Sequence, residues 1–155
     1  VRRFVSVGTA GALRADLDTG DVVVCDRAVR DEGVSHHYLP PARWAEPSPA
    51  LTERLRARLD EAGCAPTTGG AWTIDAPFRE TVAEAVHYAE EGVAVVEMEA
   101  AALFAVARVR DVEIASAFAV SDSLADGEWT PQFGHPALAA SLGRMAPAAI
   151  AALRD

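Results

Sequence analysis

No lysine occurs among the 155 residues, so all fourteen basic side chains are arginine. That absence excludes Schiff-base catalysis and a lysine phosphate clamp, because a guanidinium stays protonated and does not act as an amine nucleophile. Cysteine is almost as scarce. Cys25 and Cys64 lie far apart without CxxC spacing, which argues for reduced thiols in a cytoplasmic protein and against a disulfide framework or a zinc site. Positive charge is also short: the formal net charge of −9 opposes extended contact with nucleic acid or an anionic membrane, while leaving room for a small anion at local donors. No apolar run reads as long enough to cross a bilayer. The start, VRRFVSVGTAG, lacks the apolar core and cleavage site of a signal peptide and reads as a strand already under way.

What is present is globular composition, 50% hydrophobic and 24% charged, in a length suited to one domain over residues 1–155. Strands are expected at 4–7, 21–29, 67–74, 93–98 and 112–121, from β-rich apolar runs bounded by Gly and Asp. Helices are expected at 49–62, 75–91, 99–110 and 136–153. The first is the best marked, with Ser48-Pro49 at its start, Leu51, Leu55 and Leu59 on one face, and Gly63 as its stop. Residues 31–46 and 124–135 read as loops. Alternating strands and helices, with VAVV and IASAFAV apolar throughout, predict an α/β fold: a mixed sheet with flanking helices. In such sheets ligands collect beyond the carboxyl ends of strands, where Thr9, residues 97–99 and Ser121-Asp122 all fall.

The segment AVVEMEAAALFAVA, residues 94–107, is composed for burial yet carries Glu97 and Glu99 around Met98. A buried carboxylate without a partner costs several kcal/mol, so something should meet those oxygens. Helix-dipole stabilisation accounts for Glu99 alone. Strand alternation turns Glu97 and Glu99 to one side and Met98 to the other. A carboxylate facing a cleft suits vicinal sugar hydroxyls, and a thioether suits the apolar surface of a furanose. Gly8-Thr9-Ala10-Gly11 is either an anion cradle of backbone N–H groups beside a hydroxyl or a tight turn needing positive φ. It lacks the lysine and third glycine of the common nucleotide-binding fingerprints. Asp122 follows an apolar strand, where desolvation would favour its neutral, proton-donating form; the alternative is an N-cap on the next turn.

His36 and His37 point apart on an extended segment and do not suit a shared metal. His87 reads as structural and His135 is left open. Trp44 and Trp72 read as core or interface anchors, and Trp129 lies in a loop able to cover a cleft. Arg30 and Arg79 are candidate anion or base contacts, with surface salt bridges as the alternative.

SVGTAGAL at 6–13, GDVVV at 20–24, RDEGVSHHYLP at 30–40, VVEMEAAALFAVA at 95–107 and AVSDSL at 119–124 together resemble the nucleoside phosphorylase family. That family includes purine nucleoside phosphorylase, uridine phosphorylase and the methylthioadenosine/S-adenosylhomocysteine nucleosidases. VEMEAAAL is the most specific of these stretches. The resemblance implies a nucleoside-phosphorylase-like fold, of which this chain holds the later part. It implies phosphate-dependent cleavage of a nucleoside to base and pentose 1-phosphate, without metal or cofactor, by a homo-oligomer. By that likeness Thr9 and Gly8 bind phosphate, Met98 and Glu99 hold the ribose, Glu97 and Ser121 lie toward the base, and Asp122 protonates it as it leaves.

Two departures shape the expectations. Many relatives carry arginine where Ser6 stands, with Arg3 as a conceivable substitute, so a nucleosidase using water is a rival. The uracil-reading Gln-x-Arg is missing from GGAWTIDAPFRE, which favours a purine. A nucleoside-binding module without turnover is the third reading. Family members also have sheet ahead of the VGTAG strand, so an exposed sheet edge and apolar surface are expected here.

Overall fold

A computed structural model describes residues 1–154. Seven strands run β1 (Arg3–Ala12), β2 (Val22–Asp31), β3 (Trp44–Ala45), β4 (Thr67–Ile74), β5 (Val93–Glu97), β6 (Glu113–Ser123) and β7 (Thr130–Pro131). Four helices are interleaved: α1 (Pro49–Glu61), α2 (Val82–Glu90), α3 (Ala100–Arg110) and α4 (Pro136–Arg154). The sheet order is β3-β2-β4-β5-β1-β6-β7, and β2 also pairs with β6. The body of the sheet therefore closes into a ring of five strands. It is mixed, as expected: β1–β6, β2–β4 and β4–β5 are parallel, β1–β5 and β2–β6 antiparallel.

Its two faces are buried differently. Val22, Val24, Ala115, Ala117 and Ala119 pack under the Leu51-Leu55-Leu59 stripe of α1 and Met145 of α4. Cys25, Val95, Phe118 and Val120 pack against Phe104 and the small residues of α3. Alanine on β6 and α3 lets backbones approach closely at little entropic cost. Fully burying one of the Leu or Phe side chains contributes roughly 1.5–3 kcal/mol. The expected open edge is present: β1 pairs with β5 only through Gly11 and Ala12. On that side Arg3 to Ala10 meet no strand among the described residues, and Phe4 is exposed.

Several local expectations are corrected. Residues 75–81 are not helix; a 3-10 turn at Pro77–Arg79 precedes α2. Thr81 and Glu84 close a reciprocal capping box there, which fixes the helix start. The loop at 31–46 is organised from beneath by two buried charged residues. Arg30 donates to Ser35 Oγ and to the carbonyls of Pro40 and Leu39, and Glu32 accepts from the N–H groups of Val34 and Ser35. Helix α4 does have the length and apolar content to cross a bilayer, against the sequence expectation. Here its Leu138, Met145, Ala149 and Ala152 are buried, and it packs on α1 and β1.

Candidate functional site

Where β1, β5 and β6 end, they leave a cleft of about 630 Å³. Thr9 to Gly11 form one wall, Val96 to Glu99 the next, and Ser121, Asp122 and Leu124 the third. The 3-10 turn contributes Pro77, Phe78 and Glu80, and the loop after β6 adds Trp129 and Phe133. Of the residues singled out by sequence, Thr9, Glu97, Met98, Glu99, Ser121 and Asp122 meet here. Gly8 does not line the cleft. Neither Gly8 nor Gly11 has positive φ. Both are extended residues of β1, so the cradle and the tight turn are both replaced by a continuous strand. Its hydroxyl at Thr9 is exposed to the cleft.

Asp122 is aimed by an irregularity. Ala10 pairs with Val120 but Gly11 pairs with Asp122, so Ser121 is an extra residue in β6. Such bulges re-aim the next side chain. Ser121, buried, donates through Oγ to Asp122 Oδ1 at 2.6 Å, and Trp129 Nε1 donates to Oδ2 at 2.8 Å. These bonds orient the carboxylate within β6, so the N-cap alternative does not apply. Gly11 makes room for it. A Cβ at position 11 would stand 3.0 Å from Asp122 Oδ2, 3.0 Å from Leu124 Cδ1 and 3.1 Å from Val96 Cγ1. Gly11→Ala is therefore expected to cost about 1–2 kcal/mol of stability and to displace the acid. Thermal melts and turnover measured on one preparation check both effects.

Contrary to the expectation from strand alternation, the acids at 97 and 99 do not share one side opposite Met98. The strand ends at Glu97, so alternation stops there, and Met98 and Glu99 both turn outward while Glu97 is only 5% exposed. Glu97 Oε2 accepts from the N–H groups of Glu99 and Ala100, both at 2.8 Å, and Oε1 accepts from Thr73 Oγ1 at 2.5 Å. Thr73 is fixed in turn by the N–H of Ala101 at 3.0 Å. Glu97, placed toward the base by the family resemblance, thus satisfies orphan donors at the start of α3, and its oxygens are engaged inside the protein. Burial pushes its carboxyl above the ordinary range, against the lowering effect of those donors. Glu99 makes no side-chain cap bond and is available at the cleft beside Met98, which is 45% exposed.

Glu80 was missed by sequence reasoning because DAPFRETVAE scans as a helix start. The 3-10 turn instead brings it to the cleft, where burial first and then the charge of Asp122 raise its carboxyl above the ordinary value. Phe78 was missed for the same reason; it is 99% exposed at the cleft. The lining carries four carboxylates and no arginine or histidine. Arg3 pairs with Glu113 at 3.2 Å and donates to the Leu153 carbonyl, Arg30 is used within its loop, and Arg79 is exposed off the cleft. His36 meets Arg30, His87 meets Glu91 and Arg43, and His135 accepts from the N–H of Ala137. Among the described residues no cluster of three or more His, Cys, Asp or Glu is placed to hold a metal. The cleft suits an uncharged or cationic ligand with hydroxyls, flanked by aromatic and thioether surface.

The family model for the phosphorylase superfamily matches residues 1–153. A DeoD-type purine nucleoside phosphorylase from Bacillus cereus is 31% identical over 134 residues, 84% of this chain and 56% of its own. A guanosine phosphorylase from Halorubrum lacusprofundi is 33% identical over 131 residues, 82% of this chain and 53% of its own. The chain thus spans about half the length of these curated relatives. Among solved structures, purine nucleoside phosphorylase from Toxoplasma gondii in complex with immucillin-H superposes with a TM-score of 0.85 at 19% identity, over 100% of this chain and 66% of that one. The P. knowlesi homologue of P. falciparum PNP gives 0.79 at 23%, over 100% and 64%. These two likenesses establish the fold.

Proposed function

Because the chain belongs to the phosphorylase superfamily, we propose that it serves as a nucleoside phosphorylase, transferring the pentose of a purine nucleoside from its base to phosphate. The observation that carries this reading is the convergence of Asp122, Glu99, Met98 and Thr9 on one cleft. In the proposed reaction a phosphate oxygen bonds to the anomeric carbon as the bond to the base breaks. The bonding pair leaves with the base, and Asp122 supplies a proton to a ring nitrogen. Glu99 accepts from the ribose hydroxyls over Met98, and its charge favours the oxocarbenium-like sugar. Ser121 orients Asp122. Glu97 acts by holding the start of α3, and Glu80 is a further acid of the lining. Purine as the leaving base is supported by the names of the relatives.

Phosphate has the Thr9 side chain on this wall but no cation. That observation favours a second reading, hydrolysis by water, with free pentose as product. Homo-oligomerisation is supported by exposed Phe78, Trp129 and Phe133 at the mouth, apolar surface of the kind that associates. Two unpaired thiols, Cys25 and Cys64, support a cytoplasmic setting. Incubation of the purified chain with inosine, adenosine or uridine, with and without phosphate, separates the readings. Pentose 1-phosphate formed only with phosphate and purine substrates is expected. Free pentose without phosphate selects hydrolysis, and no product in any mixture removes the enzymatic reading. Glu99→Gln is expected to raise KM about 10- to 100-fold, the value of a hydrogen bond to a charged group, as steady-state kinetics will show.

A further inference from the structure

Trp129 stands in the loop after β6 with 60% of its surface exposed, so packing alone does not hold it. Its ring neighbour is Phe133, at a centroid distance of 6.2 Å, and its polar anchor is the 2.8 Å bond from Nε1 to Asp122 Oδ2. The two donors on Asp122 differ in kind. An indole N–H can only donate, whereas a hydroxyl both donates and accepts. Ser121 Oγ also has a second acceptor within reach, the Ala10 carbonyl at 3.4 Å. A proton on Oδ2 would compete with the indole for that oxygen. A proton on Oδ1 meets a hydroxyl free to turn its own hydrogen toward Ala10. The other ionisable groups facing the cleft are Glu80 from the turn before α2, and Glu97 and Glu99 from the β5–α3 junction. All three are acids, and neither bond to Asp122 comes from them.

We infer that Trp129 is a positioning residue, whose indole fixes the Asp122 carboxylate and reserves Oδ1 as the oxygen that carries and delivers the proton. The catalytic half of this inference rests on the phosphorylase reading. The transfer balances simply: the proton leaves Oδ1 for a ring nitrogen of the base while the glycosidic pair moves onto the base. Asp122 is left as a carboxylate that accepts from both Ser121 and Trp129.

Two measurements on the full chain test it. In the proton NMR spectrum, the indole N–H resonance that Trp129→Phe removes is expected to shift when Asp122→Asn neutralises its acceptor. A resonance indifferent to Asp122→Asn overturns the inference whether or not the chain is active. In kinetics, Trp129→Phe is expected to lower kcat about tenfold for an ordinary purine nucleoside, with KM little changed. A nucleoside already methylated on N7 departs without needing a proton, so its kcat should be unaffected. Equal losses on both substrates would reduce Trp129 to a packing element and overturn the positioning role. If the native chain cleaves neither substrate, the phosphorylase reading falls by itself, and the resonance still decides whether the indole holds Asp122.

Discussion

Asp122→Asn is expected to lower kcat by about 10²- to 10⁴-fold, the span of general acid catalysis, while nucleoside affinity changes only a few-fold. The amide is nearly isosteric: with its oxygen toward Trp129 it still accepts from the indole, while its NH2 donates to Ser121 Oγ, whose own hydrogen turns to the Ala10 carbonyl, so the bulge at Ser121 and the stability of the chain should be preserved. What is lost is the transferable proton. Initial rates with a purine nucleoside and saturating phosphate, beside calorimetric binding of the same nucleoside, check both halves. A variant that binds poorly and turns over normally would remove Asp122 from the proton path and make it a binding residue.

Glu97→Ala is expected to have the largest effect on stability, because one side chain serves three structural groups directly and a fourth through Thr73. Its removal strands two helix N–H groups and the Thr73 hydroxyl, whose own acceptor role holds the N–H of Ala101. Loss of a cap and of buried partners should cost about 2–4 kcal/mol, or roughly 5–15 °C in melting temperature for a domain of this size. Glu97→Gln isolates the charge. Burial raises the Glu97 carboxyl above its ordinary value, so the folded chain binds its proton more readily than the unfolded one. The contribution of Glu97 is then fully present below the ordinary glutamate range and is lost as pH rises through the raised titration. The stability difference, native chain minus Glu97→Gln, should therefore shrink with rising pH across that window. A difference that grows instead would mean that the hydrogen bonds from Thr73 and the two amides outweigh desolvation.

Strand and helix content was legible because the relevant signals are local. The Leu51-Leu55-Leu59 spacing, the apolar runs and the Ser48-Pro49 start each act within one element, and β4 at Thr67–Ile74 matches its expected bounds. Residues 75–81 misread because a Pro and a capping box sit one turn apart, and the box, not the first acid, sets the start of α2. Residues 31–46 are largely loop as expected, but the 3-10 turn at Ser35–His37 and the short β3 went unread because the organisers, Arg30 and Glu32, are charged residues that sequence patterns assign to the surface. At the site, the cluster was legible but the division of roles was not. Which of Glu97 and Glu99 turns inward depends on where β5 ends, and Thr73 reaches Glu97 only because β4 and β5 pair in that register. The bulge at Ser121, which exists only in the pairing with β1, could not be read from one strand alone.

The ring of strands is joined unevenly. β1 follows β6 along nearly its full length but meets β5 through just two residues, Gly11 and Ala12 opposite Val96 and Val95. That short join lies at the floor of the cleft, with Thr9 on one bank and Glu99 on the other. Thermal breathing of the barrel should therefore begin at this seam, since local opening follows the sparsest pairing. A molecule gripped by both banks would act as a staple across it, so occupancy of the cleft and integrity of the barrel are mechanically one property.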